Sequence, residues 1–371
     1  MNKKKHKNLH FLTHASRDAG DWPFFQAMQQ PGVSSKVFGS SVSLKYPHRI
    51  WLYLIGWPKL LLSGLQLANA SIAAMENDTI VTAHDHILLL AYKMRRFFSL
   101  KARKCGQQLV LHGFIFTPRS STLLNQIREN YFRWLLRNVA LVICHSRHEI
   151  PIIGKLVDEH HTKIASVHYG IGEGGAIKSW HQKFLALKED DIAKPNYLVV
   201  TAGRSSRDYE TLVDAINLLP DNIHCDIICD NVITAPHRLE GARVKIHRSL
   251  YGNDYTDKLI SADIIAVPLS EFDISAGQMV LLHALAAAKP VIITETATST
   301  EYVEETDLIK RVPPKNAQAI ASAITDLCAQ FPLSFKKRIR QRQLFEDQFS
   351  DVAHGRAVFA AFKKYLFETR S

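Results

Sequence analysis

The sequence predicts an α/β protein built from two successive open parallel sheets, each flanked by helices. Three observations carry that prediction. Short apolar runs alternate with amphipathic helical stretches along most of the chain, the signature of strand–helix–strand crossovers. A length of 371 residues suits two domains better than one. The alternation also pauses, over the mixed polar stretch 176–194, and resumes after Pro195. The expected units are therefore residues 1–190 and 191–340, with 341–371 as a terminal helical segment.

In the first half, NLHFLTH (8–14) reads as a strand and is followed by the polar loop ASRDAGDWP. The segment WLYLIGWPKLLLSGLQLANASIAAM (51–75) is almost uncharged, with Lys59 as its one formal charge. Pro58, Ser63, Gln66 and Asn69 interrupt it, so a spanning helix is not expected. It reads as a helix packed on the sheet or dipped into a membrane interface, and the basic cluster from Lys93 to Lys104 beside it fits the second alternative. Strands follow at 79–84, 108–114, 140–146 and 163–170, with helices at 87–98, 122–137 and 147–160 between them. In the second half, strands are expected at 197–203, 224–229, 243–249, 263–270 and 290–294. Helices are expected at 209–219, 257–262, 276–289 and 316–331. Ligands of such sheets sit at the carboxyl ends of the strands.

The formal net charge of +11 is uneven. Residues 1–190 carry 25 Lys and Arg against 12 Asp and Glu, whereas residues 191–371 carry 21 against 23. A basic half beside a near-neutral one points to an anionic partner such as a membrane surface or a phosphorylated acceptor. Nucleic acid is not expected, since the basic half lacks an aromatic–basic stripe and no helix-turn-helix or RNA motif appears. The five cysteines, Cys105, Cys144, Cys225, Cys229 and Cys328, show no zinc-ligand spacing and read as core residues of a reducing compartment. The amino terminus is basic but lacks a signal-peptide apolar stretch, so a cytoplasmic protein is expected.

Three segments concentrate the chemistry. In VVTAGRSSRDYETL (199–212) a buried strand ends at Gly203, and Arg204, Ser205, Ser206 and Arg207 follow just before a helix. Two guanidiniums and two hydroxyls at a strand end suit a diphosphate, because the Arg fork matches phosphate oxygens. In PLSEFDISAGQMVLLHALAAAKPVIIT (268–294), Ser275 and Gln278 form the S-x-x-Q pattern of a capping box, and Ala276 and Gly277 keep the helix entry uncrowded. The apolar helix that comes next must be buried, and the N-terminus of a buried helix at a strand-end cleft favours phosphate. The small-residue loop 294–307, with Glu301, lines the same strand ends.

In order and spacing these segments resemble the C-terminal half of GT-B-fold glycosyltransferases of the group 1, or family-4-like, class. The resemblance implies two Rossmann-like domains facing each other across a cleft, with a C-terminal helix crossing back to the first. In that family a Gly-Arg strand end and a basic loop grip the donor diphosphate, and Arg204 and Arg207 stand at those positions. The family's strand ending in Pro-Ser reads here as Pro268-Leu-Ser270, and it leads to a helix whose end, from His283 to Pro290-Val291, resembles the family pattern. The segment ICHSRHEI…KIASVHYGIGEG (143–174) is similar to the end of the family's first domain. Two family glutamates are replaced by Ser275 and His283. Gln278 or His283 then takes the ribose contacts, and Glu271 the sugar contacts. Ala288 stands where the family often has Gly, and SRDAGDW (16–22) replaces its first-domain glycine loop.

The expected activity is transfer of a sugar from a nucleotide-sugar, with a UDP-sugar favoured, to a hydroxyl of a lipid-linked or cell-surface glycan such as a polyprenyl-diphosphate-linked acceptor. No D-x-D motif occurs, so no metal is expected and fixed cations are expected to hold the diphosphate. Candidates for the catalytic base are Asp18, Asp21, the His84-Asp85-His86 cluster and His112, which ends LVLH where the family has a strand-end His. The alternative reading is a non-catalytic GT-B-like subunit that binds a nucleotide or the membrane and supports another transferase. An epimerase on the same scaffold is a further rival, distinguished by turnover without an acceptor.

Overall fold

The computed structural model describes residues 7–14, 22–42, 55–118, 122–158, 160–187, 194–203, 206–229, 239–248, 250–270 and 275–367. The chain divides into two compact units, residues 1–168 with 351–371, and residues 169–350.

The first unit holds a six-stranded, wholly parallel sheet. Its strands are β1 (Lys7–Thr13), β2 (Val33–Gly39), β3 (Thr79–Ala83), β4 (Gln107–His112), β5 (Leu141–Cys144) and β6 (Lys163–Ser166), in the order β2-β1-β3-β4-β5-β6. Helices α1 (Pro23–Gln26), α2 (Trp57–Ala73), α3 (His86–Phe98), α4 (Leu100–Lys104), α5 (Leu123–Leu136) and α6 (Ile150–Gly154) lie between them. On one sheet face Leu67, Ile72, Leu88, Tyr92 and Leu135 close a core under α2, α3 and α5. Helix α2 is thus a packed core helix, and among the described residues no helix is long and apolar enough to cross a membrane. The expected helix over 147–160 is a single turn at Arg147–Glu149 followed by the short α6. Ser146 and Glu149 cap that turn as a capping box, Pro151 stands in the first turn of α6, and Gly154 is its last residue.

The second unit repeats the architecture. Strands β7 (Tyr197–Ala202), β8 (Ile223–Cys229), β9 (Val244–Arg248), β10 (Ile264–Val267), β11 (Val291–Thr294) and β12 (Ile309–Val312) form a parallel sheet in the order β12-β11-β10-β7-β8-β9. Its helices are α7 (Gly175–Leu187), α8 (Tyr209–Asn217), α9 (Gly252–Ser261), α10 (Gln278–Ala286), α11 (Ala297–Tyr302), α12 (Ala317–Cys328) and α13 (Phe335–Gln348). Helices α8 and α12 cover one face, while α9, α10 and α13 cover the other. Cys225 and Cys229 pack on the same face of β8, as period 2 requires, and all five cysteines are free thiols.

The unit boundaries fall after His168 and Ser350. The sequence places the first junction at 190, which lies outside the described residues. The stretch before it is α7, which packs on α9 and buries Ile177. Its apolar residues Ile177, Trp180, Phe184 and Leu187 recur at helical spacing, but interleaved Lys, His and Gln conceal the repeat.

Helix α14 (Asp351–Phe362) belongs to the first unit, where Val358, Phe359 and Phe362 close the second face of that sheet with Phe11, Phe24 and Phe25. The contact of α14 with α1 depends on Gly355, where an added Cβ would stand 2.4 Å from the Phe24 carbonyl oxygen. Gly355→Ala must push α14 off α1, and overpacking of this kind costs about 1–3 kcal/mol. The variant is expected to melt several degrees below wild type, and an unchanged melting temperature would show that the helices separate freely.

Candidate functional site

In the second sheet the strand order reverses at β7 and β10, which are neighbours without being consecutive. Open α/β sheets bind ligands at such switch points, outside the carboxyl ends of the strands. Here the loops after β7 and β10 are bonded to each other. Arg207 bridges Leu269 in antiparallel fashion, Asp208 N donates to Pro268 O at 3.2 Å, and Ser270 N donates to Ser206 O at 3.1 Å. Leu269 N also donates to Thr294 Oγ1 at 2.9 Å, tying in the end of β11. Three strand ends therefore form one rim.

Arg207 lies along this rim. Its Nε donates to Ala202 O at 2.8 Å, and its guanidinium lies flat over Gly203. A Cβ at Gly203 would meet that guanidinium at 2.5–2.7 Å, and the glycine has φ +128°, so both conformation and space demand Gly there. Tyr209, from the first turn of α8, donates its hydroxyl to Gly203 O at 2.5 Å and holds the turn. Burial pulls the Arg207 pKa down from its usual value, with the Tyr209 and Tyr255 hydroxyls opposing. An Arg still carries its charge at neutral pH. Arg204 and Ser205 lie outside the described residues, as do Glu271, Asp18 and Asp21.

Helix α10 begins at the same rim, but not as the S-x-x-Q pattern predicts. Its N-cap is Gly277, with φ +84°, and no side chain caps it. A Cβ on Gly277 would stand 2.8 Å from Val267 Cγ1, so close packing of the helix start onto β10 displaces the cap by two residues. Ser275 Oγ and Gln278 Nε2 are consequently buried without a hydrogen-bond partner among the described residues. His283 Nδ1, farther along the helix, makes no hydrogen bond of good geometry, although the Met279 backbone lies near enough to favour its protonated form slightly. The first-turn N–H groups of an α-helix have no intrahelical acceptor and carry the positive end of its dipole. The imidazole of His283 packs edge-on to Tyr255, at 5.6 Å between ring centroids. Burial depresses its pKa to about 4, which leaves it neutral at pH 7. Tyr255, the aromatic neighbour of His283, also interacts with Arg207, and sequence reasoning missed it. Its signal was faint, a lone Tyr in the polar run YGNDYTDK. Ala276 is half-buried beside Ser275, and Glu301 lies half-buried on α11, beyond the end of β11.

In the first unit, imidazoles gather where β3, β4 and β5 end. His112, His145 and His354 are buried, with His84 beside His112 at 4.8 Å between rings. Burial and the neighbouring imidazoles hold His112 well below the usual histidine range, and burial brings His84 and His145 to about 4 and His354 to about 3. Asp85 caps α3, its Oδ1 accepting from Ile87 N at 2.8 Å and Leu88 N at 2.9 Å. Its Oδ2 lies 3.6 Å from His14 Nε2. His86 instead packs against Trp57 and Phe132.

Two other features lie apart from these strand ends. A cavity of about 370 Å³ opens at the amino ends of β7, β8 and β9, lined by Tyr197, His224, Asp226, Lys245 and Asp263 among others. Its buried carboxylates are already paired, Asp263 with Lys194 at 2.5 Å and Asp226 with Lys258 and His247. Among the described residues, Glu173, His181 and Glu346 lie close enough together for a cation, but Arg342 bridges the two glutamates.

Two parallel six-stranded sheets with this connectivity are the GT-B fold, which solved structures similar to the chain share. They include Anabaena Alr3699/HepE in complex with UDP, with a TM-score of 0.62 and 14% identity over 96% of this chain and 100% of that one. Sucrose-phosphate synthase from Thermosynechococcus elongatus has a TM-score of 0.64 and 14% identity over 96% and 98%. An alpha,alpha-trehalose-phosphate synthase (UDP-forming) from Burkholderia vietnamiensis has a TM-score of 0.59 and 10% identity over 96% and 99%. Residues 196–330 match the model of the family described as "Glycosyl transferases group 1", in agreement with the resemblance drawn from the motifs. No curated protein sequence matches the chain.

Proposed function

We propose that the chain is a glycosyltransferase moving a hexose from a nucleoside-diphosphate sugar, UDP-sugar by preference, to a hydroxyl of a lipid-linked or cell-surface glycan. It works without a metal, in the cytoplasm, peripherally on the inner face of the cell membrane. One observation carries this reading: the start of α10 is uncapped at the switch point, with Ser275 Oγ and Gln278 Nε2 buried and unpartnered beside it. Unsatisfied buried polar groups are costly, and a ligand that completes them binds with that free energy. The neighbours solved with UDP and with UDP-glucose support the choice of nucleotide.

In the transfer, the bond between the anomeric carbon and the diphosphate oxygen breaks, and a bond to the acceptor oxygen forms. Negative charge grows on the diphosphate as it leaves. The α10 N–H groups and Arg207 are fixed in place before the reaction, so they stabilise that charge without reorganising. Gln278 and His283 offer hydrogen bonds to the ribose hydroxyls. His112 accepts a hydrogen bond from a substrate hydroxyl, and the acceptor proton leaves on the diphosphate oxygens. A basic patch with exposed apolar side chains supports membrane attachment: Phe97 and Phe98 are 71% and 75% exposed beside Arg95, Arg96, Arg103 and Lys104.

The test is to incubate the protein with UDP-sugars and vesicles containing bacterial polyprenyl-phosphate lipids, following both UDP release and sedimentation with the vesicles. Lipid-dependent UDP release and co-sedimentation with anionic but not neutral vesicles are expected. Nucleotide binding without turnover against any acceptor would favour the non-catalytic subunit. Release without an acceptor would favour an epimerase.

A further inference from the structure

Residue 354 reaches the strand-end imidazoles from the far end of the chain. His354 Nδ1 lies 2.7 Å from the carbonyl oxygen of His168. A carbonyl oxygen only accepts, so Nδ1 of His354 carries the hydrogen. In a neutral imidazole the other nitrogen is then a lone pair. That nitrogen, Nε2, lies 3.1 Å from His112 Nε2. The hydrogen between them must therefore come from His112. If His112 carries its hydrogen on Nε2, its Nδ1 is a bare acceptor, and no described residue bonds to it.

We infer that His354 is a positioning residue: it locks His112 in the Nε2–H form and so presents the Nδ1 lone pair to a substrate hydroxyl. The inference rests on the glycosyltransferase reading for the hydroxyl, and on the hydrogen-bond geometry of neutral rings for the tautomer. The relay runs in one direction, from the His112 ring through the His354 ring to the backbone after β6. A second carbonyl clamp, His145 Nδ1 donating to Val167 O at 3.2 Å, fixes the neighbouring ring in the same way. The groups acting electrostatically on His112 are His84 after β3, His145 after β5 and His354 on α14, all imidazoles. Asp85 acts on His84, but no carboxylate acts on His112 or His354, and burial keeps both neutral, as the relay requires. Orientation by a fixed partner is how a histidine's two distinct nitrogens are assigned to different tasks.

The experiment uses the full chain labelled with ¹⁵N-histidine and long-range proton–nitrogen spectra of the rings. The wild type is expected to show His112 with a pyrrole-type Nε2 and a pyridine-type Nδ1, and His354 with the reverse. His354→Gln retains an acceptor near the Nε2 position and is expected to preserve the His112 pattern. His354→Leu keeps bulk but offers no acceptor, and His112 is expected to lose its single tautomer. UDP release should fall at least tenfold in the Leu variant with UDP affinity unchanged, and recover in the Gln variant. A wild-type His112 carrying its hydrogen on Nδ1 would overturn the inference, as would an unchanged His112 pattern in the Leu variant. Should the Leu variant not fold, the wild-type and Gln spectra still decide. Should the wild type neither bind UDP nor release it, the glycosyltransferase reading fails while the tautomer result stands.

Discussion

Between pH 6.5 and 4.5 the first unit is expected to lose most of its stability. His10, His145 and His354 are all buried there, and burial is the largest cause lowering each. Their folded-state pKa values fall to about 4, 4 and 3, against 6.5 when unfolded. As pH falls through 6.5 the unfolded chain takes up these protons and the folded chain does not. The loss begins near 6.5, runs until each folded value is passed, and levels off below it. At pH 4.5 each histidine has cost roughly 2–3 kcal/mol, since one pKa unit is worth about 1.4 kcal/mol. Together they approach the 5–15 kcal/mol that holds a typical domain. Among its described residues the second unit contains one histidine of this kind, His283. Calorimetry at pH 7 and pH 4.5 is therefore expected to show one transition falling by tens of degrees and another moving much less. Two transitions that shift equally would contradict this account.

Arg207→Ala is expected to weaken nucleoside-diphosphate binding by about 10–100-fold while the protein stays folded. Among the described contacts of the side chain are a hydrogen bond to Ala202 O and a flat approach to Gly203. Loop geometry is maintained by backbone bonds between 206–208 and 268–270 and by Tyr209, none of which uses the guanidinium. What is lost is a fixed cation, and a charge-assisted hydrogen bond is worth about 1.5–3 kcal/mol. Binding should also become less dependent on salt. Equal affinity in wild type and variant would remove Arg207 from the site.

Most of this architecture was legible because the strands are buried on both faces and read as short apolar runs. Ile264–Val267 and Val291–Thr294 have no other interpretation between their flanking helices. β2 escaped because VSSKVFG lies at a sheet edge, half-exposed, and reads as loop. Gly203 and Arg207 were readable, since a strand-end glycine before a basic residue implies a tight turn. The capping box at Ser275 was not: the pattern ignores Val267 and Leu269, whose packing moves the cap to Gly277. Tyr255 and His354 were invisible for a different reason. Each reaches its partners from a remote part of the chain, and local spacing carries no record of that. His112, by contrast, is a candidate from its position at a strand end, and its neighbour His354 became evident only once α14 was placed in the first unit.

The central claim is that the start of α10 and Arg207 hold a nucleoside diphosphate. Titration calorimetry of the wild-type chain with UDP, GDP, ADP and CDP, without added metal and with Arg207→Ala in parallel, tests it most directly. The account predicts saturable one-to-one binding of a diphosphate, tightest for UDP, that weakens at least tenfold in the variant. No heat with any of the four, or binding identical in the variant, would contradict it.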